Sequence, residues 1–112
     1  MPPPDSLPRI DRLLLADLAL PDWHPRFGEG RCIVYADVVH HPDGPILFDT
    51  GVGTGSELIE RLYEPLVWPV AERLAAVGVE AADLVAVVIS HLHFDHCGQQ
   101  LSLGAPVYVQ RA

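Results

Sequence analysis

The chain has 112 residues, a hydrophobic share of 49% and a formal net charge of −8 at pH 7, which indicate one globular, acidic domain. The acidic balance argues against a nucleic-acid partner. No apolar run approaches the ~20 residues of a membrane span. Because the N-terminus lacks a secretory leader pattern, a cytoplasmic location is expected. Two cysteines, Cys32 and Cys97, do not make a disulfide framework, and Cys32 is predicted to be a small buried residue.

The N-terminal part, residues 1–30, is predicted to be an extended strand followed by a loop. Residues 1–8 are proline-rich and are expected to be extended and poorly ordered. Residues 9–20 are apolar enough for a buried strand or helix, and the prolines on either side favour a strand. Residues 21–30 contain two Pro and two Gly, which is typical of a loop.

The second unit, residues 31–112, begins with a predicted β-hairpin. Residues 31–41 are rich in β-branched and aromatic side chains and predict a strand. The sequence HPDG at residues 41–44 is typical of a type I turn, and residues 45–51 are the predicted returning strand. This strand stops at Asp49-Thr50-Gly51, and the sequence GVGTGS at residues 51–56 supplies three glycines for a tight loop.

Two helices and two strands are predicted after the hairpin. Ser56 is a candidate cap for a helix over residues 57–64, and Pro69 is a candidate first residue of a second helix that stops at Gly78. Residues 84–90 are apolar on both faces and predict an interior strand. The pattern PVYVQ at the end of the chain predicts a last strand over residues 106–110.

The sequence SHLHFDHCG, residues 90–98, concentrates metal-binding side chains directly after the predicted interior strand. In an extended segment His91 and His93 point the same way and can bind one ion, and Asp95 continues that alternation. His96 joins them if the chain turns into a helix there. Imidazole and carboxylate donors favour Zn²⁺, with Fe or Mn also suitable. Solvated loop histidines are the alternative, but their clustering at the end of a buried strand favours a metal site.

This motif resembles the His-x-His-x-Asp-His signature of the metallo-β-lactamase superfamily of metallo-hydrolases. PDGPILFDTGVG is similar to the hairpin and Asp-Thr-Gly loop upstream of that signature. The tail APVYVQRA resembles the following strand, particularly in N-acyl-homoserine lactonase-like members. The resemblance covers roughly residues 31–112. It implies an α/β fold, the N-terminal half of an αββα sandwich with a mixed or antiparallel sheet and flanking helices.

The resemblance also implies roles for individual residues. His91 and His93 would bind the first metal ion, and Asp95 and His96 the second, with two zinc ions in a complete site. Asp95 would double as the proton donor to the departing alkoxide. Asp49 would lie behind the ligands and hold their loop by hydrogen bonds, although it could also be an ordinary residue of a strand-end turn.

The implied activity is hydrolysis of a small-molecule lactone or ester. A β-lactamase, a glyoxalase-II-like thioesterase, an aryl or alkyl esterase and a non-catalytic metal-binding fragment are the alternatives. No His, Asp or Glu follows His96, whereas the resemblance implies further ligands later in the chain. The 112 residues are therefore predicted to carry about half of a dinuclear site in a truncated sequence, to be inactive alone, and to dimerise or aggregate through exposed apolar surface.

The remaining histidines and the aromatic residues of the loop carry a weaker signal. His24, His40 and His41 are each predicted to be solvated surface residues. Trp23 and Phe27 are predicted to pack locally, although the resemblance would also let their loop line a substrate pocket.

Overall fold

The computed structural model describes residues 9–90, 95, 97–99 and 103–109, which form one mixed sheet with short helices. Its strands occur in the order β4-β1-β2-β3-β5-β6. Single 3₁₀ turns lie at Phe27–Glu29 and Ala81–Asp83. The elements of the described residues are β1 (Arg9–Ala19), β2 (Arg31–His41), β3 (Gly44–Phe48), α1 (Glu57–Tyr63), β4 (Leu66–Val67), α2 (Val70–Ala76), β5 (Ala86–Ile89) and β6 (Val107–Val109).

The N-terminal segment that could have been strand or helix is the strand β1. It pairs antiparallel with β2 over its whole length, from Arg9 opposite His40 to Ala19 opposite Arg31. The register shifts between Leu14 and Ala16. Such a bulge lets two successive residues point the same way, and Leu15 and Ala16 are both fully buried.

The hairpin and the interior strand are confirmed. Strand β3 pairs antiparallel with β2, and it begins at Gly44, one residue earlier than expected. Strand β5 lies between β3 and β6 and runs parallel to both. Because parallel strands end at the same edge of a sheet, residues 49 and 90 are brought side by side.

The two helices are also confirmed, with ends that differ by a residue. The Ser56 hydroxyl accepts a hydrogen bond from the Ile59 amide at 3.4 Å and caps α1. Pro69 immediately precedes α2 instead of being its first residue. Strand β4 was not predicted, because a run of two residues has no hydrophobic period to detect. Neither helix of the described part is long and apolar enough to cross a membrane.

The core lies on the face of the sheet that the helices cover. Val70 and Leu74 of α2 are buried there against strand residues such as Leu15, Leu47 and Val87. On the opposite face, large side chains of β2, β3 and β6 remain 40% to 59% exposed: Ile33, Tyr35, Phe48 and Tyr108. This face is where we expect self-association, which stays a prediction.

His40 differs from the expected solvated residue. Its side chain is only 22% exposed, and its Nε2 lies 2.7 Å from Oδ2 of Asp11 and 3.1 Å from a guanidinium nitrogen of Arg9. The sequence alone could not predict this cluster, because the register of β1 and β2 brings Arg9 beside His40 although the two residues are far apart in the chain. His41 is exposed, as predicted, and its Nδ1 accepts a hydrogen bond from the Asp43 amide.

This cluster predicts an acid-sensitive contribution to stability. The hydrogen bond with His40 holds the pKa of Asp11 below its usual value, and the charge of Arg9 adds to the effect. A carboxylate with a lowered pKa in the folded state stabilises that state above its unfolded pKa of ~3.9, and the contribution is lost as the pH falls further. In urea denaturation, Asp11→Asn should therefore lower the midpoint at pH 7, and its difference from the wild type should shrink as the pH falls below ~3.9. Asp22→Asn, in an exposed loop position, is the control; parallel curves for Asp11→Asn and the wild type from pH 7 to pH 3 would contradict the prediction.

Candidate metal centre

Of the four predicted metal ligands, only Asp95 lies among the residues that the structure describes. His91, His93 and His96 lie outside the described residues, so their roles stay predictions. Among the residues that are described, no group of three or more His, Cys, Asp or Glu is placed to hold a metal ion. Asp95 and Asp49 are described, and they show how the flanks of the motif are held.

Asp49 fixes the start of the histidine motif. Its Oδ1 accepts a hydrogen bond from the Ser90 amide at 2.8 Å, and its Oδ2 accepts one from the Ser90 hydroxyl at 3.0 Å. The Asp49 amide donates to the carbonyl of Val88 at 2.8 Å, which anchors Asp49 to β5. Its backbone is left-handed with φ +68°, a conformation that Asp and Asn tolerate better than most residues. The residue directly before His91 is thus held by a carboxylate at the end of β3.

The same Asp-Thr-Gly loop, residues 49–53, also fixes the end of the motif. The Gly98 amide donates to the carbonyl of Gly51 at 2.8 Å, and the Gln99 amide donates to the Thr50 hydroxyl oxygen at 3.1 Å. Thr50 is fully buried, so this contact is shielded from water. One short loop therefore holds both flanks of the segment that carries the histidines.

Two glycines allow the loop and the end of the motif to approach this closely. A Cβ atom on Gly98 would overlap the amide nitrogen of Gly53 and lie 2.6 Å from the carbonyl carbon of Val52. A Cβ atom on Gly53 would lie 2.5 Å from the carbonyl oxygen of Gly98. All of these neighbours are backbone atoms, which cannot rotate away as a side chain can. Any larger residue at either position must push the two segments apart.

Asp95 lines a cavity of about 230 Å³ at the end of the sheet where the N-terminal loop folds over. The described walls of this cavity are Leu18, Leu20, His24, Arg26, Cys32, Tyr63 and Asp95. Burial raises the pKa of the Cys32 thiol, and the charge of Asp95 raises it further against the opposing effect of Arg26. Cys32 is thus a neutral thiol at neutral pH, and it is half-buried where a buried residue was predicted.

The aromatic residues of the N-terminal loop lie outside this lining. Trp23 packs edge-on against Tyr63 at 6.2 Å between ring centroids, which agrees with the predicted local packing. Phe27 is 49% exposed. His24 contributes to the cavity instead of lying free in solvent as predicted, and its Nδ1 accepts a hydrogen bond from the Arg26 amide at 3.0 Å.

The sequence matches a known family over its central part. The family described as the metallo-beta-lactamase superfamily matches residues 29–99, which is more than half of the chain. The chain belongs to this superfamily. The resemblance drawn from the two sequence motifs is therefore confirmed, and so is the α/β fold class.

Members of this superfamily with curated names resemble the chain over its larger part. An N-acyl homoserine lactonase from a Bacillus species is 35% identical, covering 70% of this chain and 37% of the relative. The N-acyl homoserine lactonase of Bacillus cereus is 32% identical over the same shares. The chain thus spans less than two fifths of the length of these relatives.

Solved structures share the fold of this superfamily member. A quorum-quenching N-acyl homoserine lactone lactonase superposes with a TM-score of 0.68 at 23% identity, covering 91% of this chain and 45% of that one. An N-acyl homoserine lactone hydrolase with N-hexanoyl-L-homoserine bound at its catalytic metal center gives a TM-score of 0.61 at 21% identity, covering 89% and 46%. At these identities the likeness establishes the fold.

Proposed function

We propose that this chain forms the N-terminal, metal-binding part of a hydrolase that opens lactones, with N-acyl homoserine lactones as the substrate class. Two relatives of that name, 35% and 32% identical, support the substrate class. The observation that carries the proposal is the attachment of Ser90, Gly98 and Gln99 to one loop. Attachment of both flanks to the core would restrict where the ligands between them can lie, which favours metal binding.

The donor set of the motif fits zinc. His91, His93, Asp95 and His96 offer imidazole nitrogen and carboxylate oxygen, which zinc accepts and for which Fe or Mn could compete. Zinc bound there would supply a Lewis acid for the lactone carbonyl and lower the pKa of water. Since no His, Asp or Glu follows residue 96, a second complete zinc site needs ligands from a further polypeptide segment.

The described residues would bind and orient the substrate in this proposal. Leu18 and Leu20 line the cavity beside Asp95 and would give the lactone an apolar wall to pack against. The Asp95 carboxylate would take a proton from the attacking water and pass it to the alkoxide that leaves when the ring opens. The cavity, at about 230 Å³, is smaller than the ~300–1,000 Å³ of typical ligand pockets, which is consistent with further walls from another segment.

Metal uptake by the 112-residue chain tests the first half of this proposal. After dialysis against zinc at neutral pH and removal of free metal, we expect about one zinc ion per chain, weakly held, by atomic absorption. The double variant His91→Ala/His93→Ala should lose this ion because it removes two of four donors. His41→Ala is the control and should keep the ion, because His41 is exposed and lies beside the hairpin turn, at the end of the hairpin away from Asp49. Failure of the wild type to bind zinc would overturn the metal site.

Ligand binding separates the proposed substrate class from the alternatives. With the zinc-loaded chain, N-hexanoyl homoserine lactone should shift the NMR signals of Cys32, Tyr63 and Asp95, and a β-lactam should not. Turnover is not expected from this chain alone. Equal or stronger shifts with the β-lactam would favour a β-lactamase, and no shift with either compound would contradict a lactone site at this cavity.

A further inference from the structure

We propose that Gln99 is a positioning residue for the histidine motif, acting through hydrogen bonds to helix α2 and to the Asp-Thr-Gly loop. The inference rests on the proposed function, because it assumes that the motif binds a metal ion. Gln99 follows the last candidate ligand by three residues. It was not singled out by the sequence, since a lone Gln in a turn has no recognisable pattern.

The side-chain amide of Gln99 uses its acceptor and both of its donors. Its Oε1 accepts from the Val70 amide at 2.9 Å, and its Nε2 donates to the carbonyls of Val52 at 3.0 Å and Trp68 at 3.3 Å. The Val70 amide is in the first turn of α2, where helix N–H groups lack a partner within the helix. Turning the amide over would place NH₂ against N–H and oxygen against two carbonyls, so the orientation is fixed.

These bonds connect Gln99 to two segments that are distant from it in the chain, the Asp-Thr-Gly loop and the start of α2. Val52 belongs to the Asp-Thr-Gly loop, Trp68 precedes α2, and Val70 begins it. The Gln99 backbone is itself bound to Thr50. The side chain therefore links the end of the motif to two parts of the core, and losing it leaves only the backbone hydrogen bonds of Gly98 and Gln99 to hold the flank opposite Asp49.

The shape of the side chain allows graded substitutions. Gln99→Glu is nearly isosteric and keeps an oxygen for the Val70 amide, but it places a carboxylate oxygen against the carbonyls of Val52 and Trp68. Gln99→Ala removes all three bonds. Replacing a residue that orients metal ligands without itself binding the metal typically weakens metal affinity 10- to 100-fold.

The test is zinc affinity by competition with a chromophoric chelator, measured on the whole 112-residue chain. We expect about tenfold weaker binding for Gln99→Glu and up to about 100-fold for Gln99→Ala. Asp11→Asn is the control, because Asp11 lies on β1, which β2 and β3 separate from β5, and its loss is expected to lower stability without touching the motif. It should retain the wild-type affinity.

Hydrogen exchange on the metal-free chain supplies a readout that does not depend on zinc. In Gln99→Glu the amides of Gly98 and Gln99 should exchange faster than in the wild type, while amides in the β1–β2 pair stay unchanged. If Gln99→Ala fails to fold, Gln99→Glu alone decides, because it retains the size and the Val70 contact.

The outcomes separate this inference from the proposed function. Zinc binding by the wild type with equal affinity in the Gln99 variants overturns the positioning role and leaves the proposed function standing. An equal loss of affinity in Asp11→Asn assigns the effect to general stability and also overturns the role. No zinc uptake by the wild type overturns the proposed function and this inference with it.

Discussion

Replacing Asp49 by Asn is expected to weaken zinc binding by this chain about 10- to 100-fold, as is typical for residues that orient metal ligands. The wild-type carboxylate accepts from both the amide and the hydroxyl of Ser90, at 2.8 and 3.0 Å. Asn keeps one acceptor and presents NH₂ where the second oxygen was. Hydrogen bonds to charged groups contribute about 1.5–3 kcal/mol, so urea denaturation should also show a loss of this order.

Asn is the informative substitution because of the backbone at this position. Asp49 has φ +68°, and Asn tolerates the left-handed region, so Asp49→Asn removes the charge without adding strain. Asp49→Ala would combine the loss of the carboxylate with backbone strain at a positive φ. Ser90→Ala is the matched control, since it removes only the hydroxyl bond and should cost less than Asp49→Asn. Unchanged zinc affinity in Asp49→Asn would show that the carboxylate does not position the ligands.

The sequence predicted the strands and helices well because each of them repeats a local pattern. Strand β2 is rich in β-branched and aromatic residues, and α1 carries its own cap at Ser56. The exception is β4, which consists of two residues and exists only because Leu66 and Val67 pair with β1. Tertiary pairing, and not propensity, creates such a strand.

The contacts around the motif were predicted less completely. Asp49 stood out because it ends a strand in an Asp-Thr-Gly sequence. Its partner Ser90 could have been inferred from two parallel strands ending at one edge, but the parallel pairing of β3 and β5 was itself unknown. Gln99 and Gly98 gave no local signal, since their importance comes from backbone that is about 30 to 50 residues away in the chain.

Replacing Gly98 by Ala is expected to cause a large loss of stability. The new methyl group would overlap the Gly53 nitrogen and lie 2.7 Å from the Gly51 carbonyl oxygen, which accepts the Gly98 amide. Overpacking typically costs about 1–3 kcal/mol and occasionally more, and we expect the upper end because every opposing atom is backbone. Gly28→Ala is the control: nothing lies within 4 Å of its added carbon, and urea denaturation should show little change.

Gly53→Ala tests the same close contact between the two backbone segments. It should lower the stability less than Gly98→Ala does, since its methyl group meets one carbonyl oxygen at 2.5 Å. Both substitutions separate the same two segments, and once they are apart the second methyl group has room. The double variant should therefore lose less stability than the sum of the single losses. Strict additivity would mean that the two glycines do not share one contact. It would contradict the view that close backbone approach, as well as hydrogen bonding, holds the end of the histidine motif.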